Sequence, residues 1–269
     1  MISLLESSSW VVSALIIVTV SILICSGFLW AIRRACTRKE LKKNHDVVGF
    51  TFSIIGVLYS VILGFTVISV QTRYDAVLQA IHTEAILLAD LYQDAAFFSK
   101  KDTDTIRSAL RQYTHHVVKE EWGLPVENPV NIKSRFLIKN IWKSYYTIDL
   151  QSARDNIWYT ESISKLNSFL NARLARQFNS REHLGEMMWS LLIIGAIITI
   201  CFMFFFGLEN FRSHMLMTAL LAGYVSFMLF LVYSLDNVFS GPQRIKPVAL
   251  EQVYTLFDQL DQDSLLTAL

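Results

Sequence analysis

The chain has 269 residues, 53% hydrophobic and 17% charged, with a formal net charge of +1. An average soluble domain carries about 25% charged residues, so a fold covered by water on all sides is excluded. The near-neutral balance also excludes bulk attraction to nucleic acid or acidic substrates.

Apolar residues gather in charge-free runs of about twenty, long enough to cross a bilayer as helices. The first covers about residues 10–32. No Lys or Arg precedes it, and Arg33, Arg34, Arg38, Lys39, Lys42 and Lys43 follow it. That order reads as an uncleaved anchor rather than a signal peptide. Trp10 and Trp30 stand about 30 Å apart on such a helix, which suits the two aromatic belts.

The second run covers about residues 47–70. Gly49, Ser53, Gly56, Ser60 and Gly64 recur in it at threes and fours and so share one helical face. Small residues in a stripe let another helix backbone approach closely, which drives association inside lipid. The same face is also a candidate lining for a pore on a symmetry axis, and the two readings are compatible. The helical pattern continues to about Phe98 through Tyr74, Val77, Leu78, Ile81, Ala85, Leu88, Leu91 and Tyr92, with no Gly or Pro. One helix over 47–98 would be about 78 Å long, half of it beyond the bilayer.

Residues 71–186 hold 15 basic and 14 acidic side chains and read as a helical domain outside the membrane. Asp102 or Thr103 is the expected cap of a helix ending near Trp122, before Gly123 and Pro125. Pro129 and Asn131 open the next helical segment. A third is expected to run from about Leu150 straight into the third apolar run, residues 187–206. The fourth run covers 215–235, and Asp236, Asn237, Gly241 and Pro242 break the chain after it. Pro247 is placed to start an amphipathic helix in the 237–269 tail, with Leu250, Val253, Phe257 and Leu260 facing the outer domain. The expected fold is therefore all-α: two transmembrane hairpins, residues 1–70 and 187–236, with a helical domain inserted between spans 2 and 3.

The six basic residues between the first two spans place that loop in the cytoplasm by the positive-inside rule, with both termini and the middle domain outside a cell inner membrane. Arg73, Arg173, Arg176 and Arg181 flank the bilayer on the opposite side and weaken the bias.

Several segments together resemble the bestrophin-like family of bacterial and plant membrane proteins. They are Asn44, Asp46 and Gly49 before a second span reading Gly56 to Leu63 through Tyr59, then Glu84 and Ala85, then Glu120, Glu121 and Trp122, and finally Asp236, Phe239 and Gly241. Val238 stands where the family often has proline. The resemblance implies a remote likeness to bestrophins, which are pentameric anion channels, and so implies self-association and ions as cargo. It also implies a cytosolic middle region, against the loop charges.

No ionisable residue lies inside a span, and no Pro interrupts one, which disfavours an ion-coupled transporter. Hydrophobic constrictions gate pores, and Ile55, Leu58, Ile62 and Phe65 are the candidates. His115, His116, Glu120 and Glu121 lack zinc-protease spacing, and Cys25, Cys36 and Cys201 form no disulfide framework. No catalytic motif, metal site or cofactor is expected. Glu84, with Glu121 and Trp122, reads as a buried charge or hydrogen bond between packed helices. Two functions remain open: an oligomeric channel with membrane lipid, ions and copies of itself as partners, and a non-conducting scaffold or sensor acting through its helical domain.

Overall fold

The structure, a computed structural model, describes residues 10–35, 45–124, 130–150, 152–206, 208 and 210–266. The loop carrying Cys36, Lys42, Lys43 and Asn44 lies outside the described residues, as do Pro125 and Pro129; of Asp46 only the backbone is described.

Among the described residues eight α-helices follow in order: α1 (Trp10–Ala35), α2 (His45–Asp94), α3 (Lys100–His116), α4 (Val130–Tyr146), α5 (Ala153–Asn179), α6 (Glu186–Phe204), α7 (Phe211–Asp236) and α8 (Val248–Leu266). Four of them are long and apolar enough to cross a membrane: α1, α2, α6 and α7. The protein is an all-helical membrane protein.

The chain divides into two compact units, Met1–Tyr74 with His183–Arg244 and Asp75–Glu182 with Ile245–Leu269. In the first, α1 lies along α7. Gly223 of α7 allows that approach, because a Cβ there would meet Ile22 Cδ1 at 3.2 Å. Tyr59, Leu63 and Val70 of α2 form a core with Leu192 and Ala196 of α6 and Val225, Val232 and Leu235 of α7. Gly195 makes room for the Tyr59 ring, since an added Cβ would lie 2.5 Å from Cδ2.

The second unit packs the rest of α2 with α3, α4, α5 and α8. Leu88, Tyr92, Ile106, Tyr113, Ile141 and Phe169 are fully buried in its core, and the amphipathic face of α8 joins them through Leu250, Val253 and Phe257. Tyr92 stacks on Phe257 at 4.0 Å.

Two local expectations are corrected. The cap of α3 is Ser99, not Asp102 or Thr103: its Oγ accepts from Asp102 N–H at 3.3 Å and donates to Asp102 Oδ2 at 2.6 Å. The acid three residues into the helix thus completes a cap begun by a hydroxyl. Nor does α5 run into the third span. It ends at Asn179, and α6 begins at Glu186 with Gly185 as its cap. The break is tied down by Asp236, whose Oδ1 accepts from Leu184 N–H at 2.7 Å.

Candidate functional site: the second span and a buried charge cluster

Within the membrane unit, α2 turns only one seam toward its own chain. Tyr59, Leu63, Thr66 and Val70 are buried. At about 100° per residue, the stripe of Gly49, Ser53, Gly56, Ser60 and Gly64 lies to one side of that seam and Leu58 and Phe65 to the other. No atom outside the helix's own backbone comes within 4 Å of a Cβ built at Gly56 or Gly64, and at Gly49 only Phe206 does, at 3.9 Å. The stripe is therefore uncovered. Its hydroxyl protons are already committed: Ser53 donates to Gly49 O at 2.9 Å and Ser60 to Val57 O at 2.8 Å. Of the gate candidates, Ile55 and Ile62 are half-buried, Ile62 against the seam core. Leu58 and Phe65 are 60% and 70% exposed.

Asp236 closes the same unit. It sits at the carbonyl end of α7, where the helix dipole disfavours a carboxylate, and four groups hold it there. Arg73 donates to Oδ1 at 3.0 Å, Leu184 N–H to the same oxygen and Trp189 Nε1–H to Oδ2 at 3.2 Å, while His183 Nδ1 lies 3.1 Å from its backbone oxygen. In the turn that follows, Phe239 is half-buried and Gly241 buried. A Cβ at Gly241 would lie 2.7 Å from Asn237 O, so only glycine fits.

The helical unit carries a charge cluster through its core. Glu84 of α2 is fully buried and takes both arms of Arg176 from α5, at 2.6 and 3.2 Å. Tyr113 of α3 donates to Glu84 Oε1 at 2.5 Å and accepts from Arg173 Nη1 at 2.6 Å. Arg173 Nη2 then reaches Glu121 Oε2 at 2.9 Å, and Arg176 Nη2 reaches Glu121 Oε1 at 3.3 Å. Ser134 of α4 donates a very short hydrogen bond to Glu121. A π-helical turn, Val117–Glu121, ends α3 and delivers Glu121 to the cluster. Trp122 places its ring 5.3 Å from the Arg176 guanidinium and donates Nε1–H to Ile245 O at 2.9 Å.

Two carboxylates and two guanidinia make the cluster neutral. Burial alone would raise the Glu121 carboxyl, but Arg173 and Arg176 outweigh it and hold it at about 2. Burial drives the Tyr113 phenol far up, and it stays a neutral donor and acceptor. Burial also opposes the charge on Arg176, yet Glu84 raises its pKa well above the ordinary value. Glu121, Tyr113, Arg173 and Arg176 are each held in one protonation state. Such a set fixes how four helices meet; it offers no proton and no open coordination position.

The Bestrophin-like domain matches residues 19–250 of the chain. The protein belongs to the bestrophin-like family. Its fold is that of a bacterial bestrophin homologue from Klebsiella pneumoniae, solved with a leucine-to-threonine substitution. The TM-score is 0.69 at 12% identity, covering 89% of this chain and 97% of that one. An isoleucine-to-threonine variant of the homologue gives 0.65 at 12%, covering 91% and 98%. A membrane protein solved with a proline-to-alanine substitution also gives 0.65 at 12%, covering 91% and 97%. No curated protein matches the chain.

The residues on which the sequence resemblance rests fall into separate places. Tyr59 lies in the seam, Asp236 and Gly241 at the end of α7, and Glu84, Glu121 and Trp122 in the cluster. Glu120 stands apart and exposed, paired with Lys133 at 2.9 Å and with His116 at 3.1 Å. Arg173 and Arg176 were read as membrane-flanking charges, and Tyr113 and Ser134 gave no sign of their role. One signal was present. Ser162, Leu166, Phe169, Arg173 and Arg176 share one helical face, so the arginines continue a buried stripe.

Proposed function

We propose that the protein assembles as a homo-oligomer in the cell inner membrane, with the membrane part of α2 surrounding an ion-conducting path. One observation carries this reading: among the described residues, the chain's other helices cover only the Tyr59 seam of the membrane part of α2, leaving both flanking faces to be met by something else. The bestrophin likeness adds a pentamer and anions as the conducted species. One helix cannot turn both flanking faces to a single axis. Leu58 and Phe65 supply the hydrophobic constriction, backed by Ile55 and Ile62, and the Gly49–Gly64 stripe takes the neighbouring subunit. No catalytic role is assigned. The basic residues after α1 support a cytoplasmic connection there, with the helical unit outside.

Purified protein in a lipid bilayer should pass anions, and Leu58→Ala or Phe65→Ala should raise conductance or open probability by lowering the dewetting barrier. Silent bilayers across pH, calcium and voltage, together with a sealed axis, would sink the channel and leave a scaffold or sensor acting through the helical unit. For the orientation, Ser99→Cys in a background without native cysteines should react with an impermeant thiol reagent in intact cells. Labelling at Cys36 instead reverses it.

A further inference from the structure

We propose that a cavity in the helical unit binds an anionic phosphate group carried on an apolar stem, whether or not the spans conduct. The cavity holds about 270 Å³ and lies between α4 and the C-terminal half of α5. Three arginines line it: Arg135 of α4, Arg173 of α5 and Arg181 just past the end of α5. Among the described residues that line it, none is acidic.

Arg173 is the built part of the site. It is 4% exposed, and its guanidinium is fixed by Tyr113 and Glu121. A guanidinium has five N–H donors in a planar fork, and its bonds to Tyr113 and Glu121 do not use all of them. Arg135 and Arg181 are exposed and add two further positive charges to the cavity wall. Planar forks of this kind match phosphate oxygens in pairs, which a lysine cluster would not do.

The remaining walls decide what the phosphate is attached to. Ile138, Leu170, Leu174 and Phe178 are apolar, and Leu174 and Phe178 are large and exposed. A bare, fully hydrated anion gains nothing from such walls, whereas a hydrocarbon stem next to the charge buries against them. The volume sits just below the usual range for small-molecule pockets, enough for a head and the first part of a chain. The chain enters its third span at Glu186, five residues after Arg181, so a phospholipid headgroup is one source. A soluble amphiphilic phosphate is the other.

The test uses the full-length protein in neutral detergent. Native mass spectrometry and the thermal midpoint are read with phosphatidylglycerol, phosphatidylcholine, dodecyl phosphate and inorganic phosphate. Phosphatidylglycerol or dodecyl phosphate should bind and raise the midpoint, and Arg135→Gln with Arg181→Gln should weaken that binding about tenfold or more. Arg135→Gln alone serves where the double variant loses stability. Binding of phosphatidylglycerol only assigns the lipid source, and of dodecyl phosphate only the soluble one; either supports the proposal. It is overturned by equal binding to wild type and variant, or by phosphatidylcholine binding as well as phosphatidylglycerol. Inorganic phosphate protecting as strongly as dodecyl phosphate would remove the stem. Loss of assembly in the variant with lipid retained would give the arginines to a subunit contact instead.

Discussion

In the membrane unit the charged contacts gather at span ends: Arg33 with His214 and Leu208 O at 2.8 and 2.5 Å, and Arg73 with Asp236. The helical unit instead carries Glu84, Glu121, Arg173 and Arg176 through its centre. Both arrangements follow from where partners can be found. A lone charge inside lipid has none, so the spans are apolar inside and α2 leaves large faces such as Phe65 uncovered. A packed helical bundle can enclose charge when each group is answered by another. That gives little net stability but makes the loss of any one member costly.

The largest effect should therefore come from the cluster. Arg176→Ala leaves the buried Glu84 carboxylate with the neutral Tyr113 hydroxyl in place of its guanidinium, and should lower stability by about 3–5 kcal/mol, read from chemical denaturation of the protein. Replacing both partners, as Glu84→Leu with Arg176→Met, should recover most of that loss. If the single substitution costs no more than an exposed pair such as Lys133 with Glu120, the cluster is solvated and the contrast between the units fails.

Acid is a second route to the same cluster. The Glu121 carboxyl is held at about 2 against an ordinary 4.5, so the charged form is the one the folded state favours. Its contribution is complete above about pH 4.5 and is lost as pH falls toward 2, about 3 kcal/mol in all. Unfolding followed across that window should show an acid limb that Glu121→Gln reduces. An unchanged limb would assign acid sensitivity to other carboxylates.

A smaller effect belongs to the seam. At Gly195→Ala the new methyl would lie 2.5 and 2.8 Å from the Tyr59 ring, and the ring is packed against α6 and α7. Moving it should cost about 1–3 kcal/mol, seen as a lowered thermal midpoint. Tyr59→Leu in the same chain should relieve the strain. No change in midpoint would mean the seam is looser than a packed core.

The spans were legible because lipid imposes a length and a composition that few other constraints mimic, and the long α2 because no Gly or Pro interrupts its pattern beyond the bilayer. The cluster was legible only by half. Glu84, Glu121 and Trp122 stood out through a family resemblance, while Arg173 and Arg176 looked like flanking positive charge. An arginine on a buried stripe and one at a membrane surface have the same spacing; only the packing of α5 against α2 and α3 tells them apart. The end of α5 was hidden for a similar reason. Residues 180–185 contain no Pro, and the contact that holds the linking turn comes from Asp236, more than fifty residues later in sequence, which accepts from Leu184 N–H.

The smallest effect on the subunit itself is expected at Gly56→Leu, and there the two flanking faces of α2 can be separated. No neighbour stands within 4 Å of a Cβ at Gly56, so a leucine meets open space in the isolated chain. It also removes a helix-destabilising glycine, and subunit stability should hold or rise slightly. An adjacent subunit packed on the stripe would meet the side chain at once, because close approach depends on the missing Cβ. Native mass spectrometry should then show smaller assemblies at an unchanged or higher thermal midpoint. Phe65→Ala is the matching change on the opposite face and should leave assembly intact while altering conductance. If Gly56→Leu assembles normally and changes the current, the assignments are exchanged: the small stripe faces the path, and the apolar row holds the neighbour.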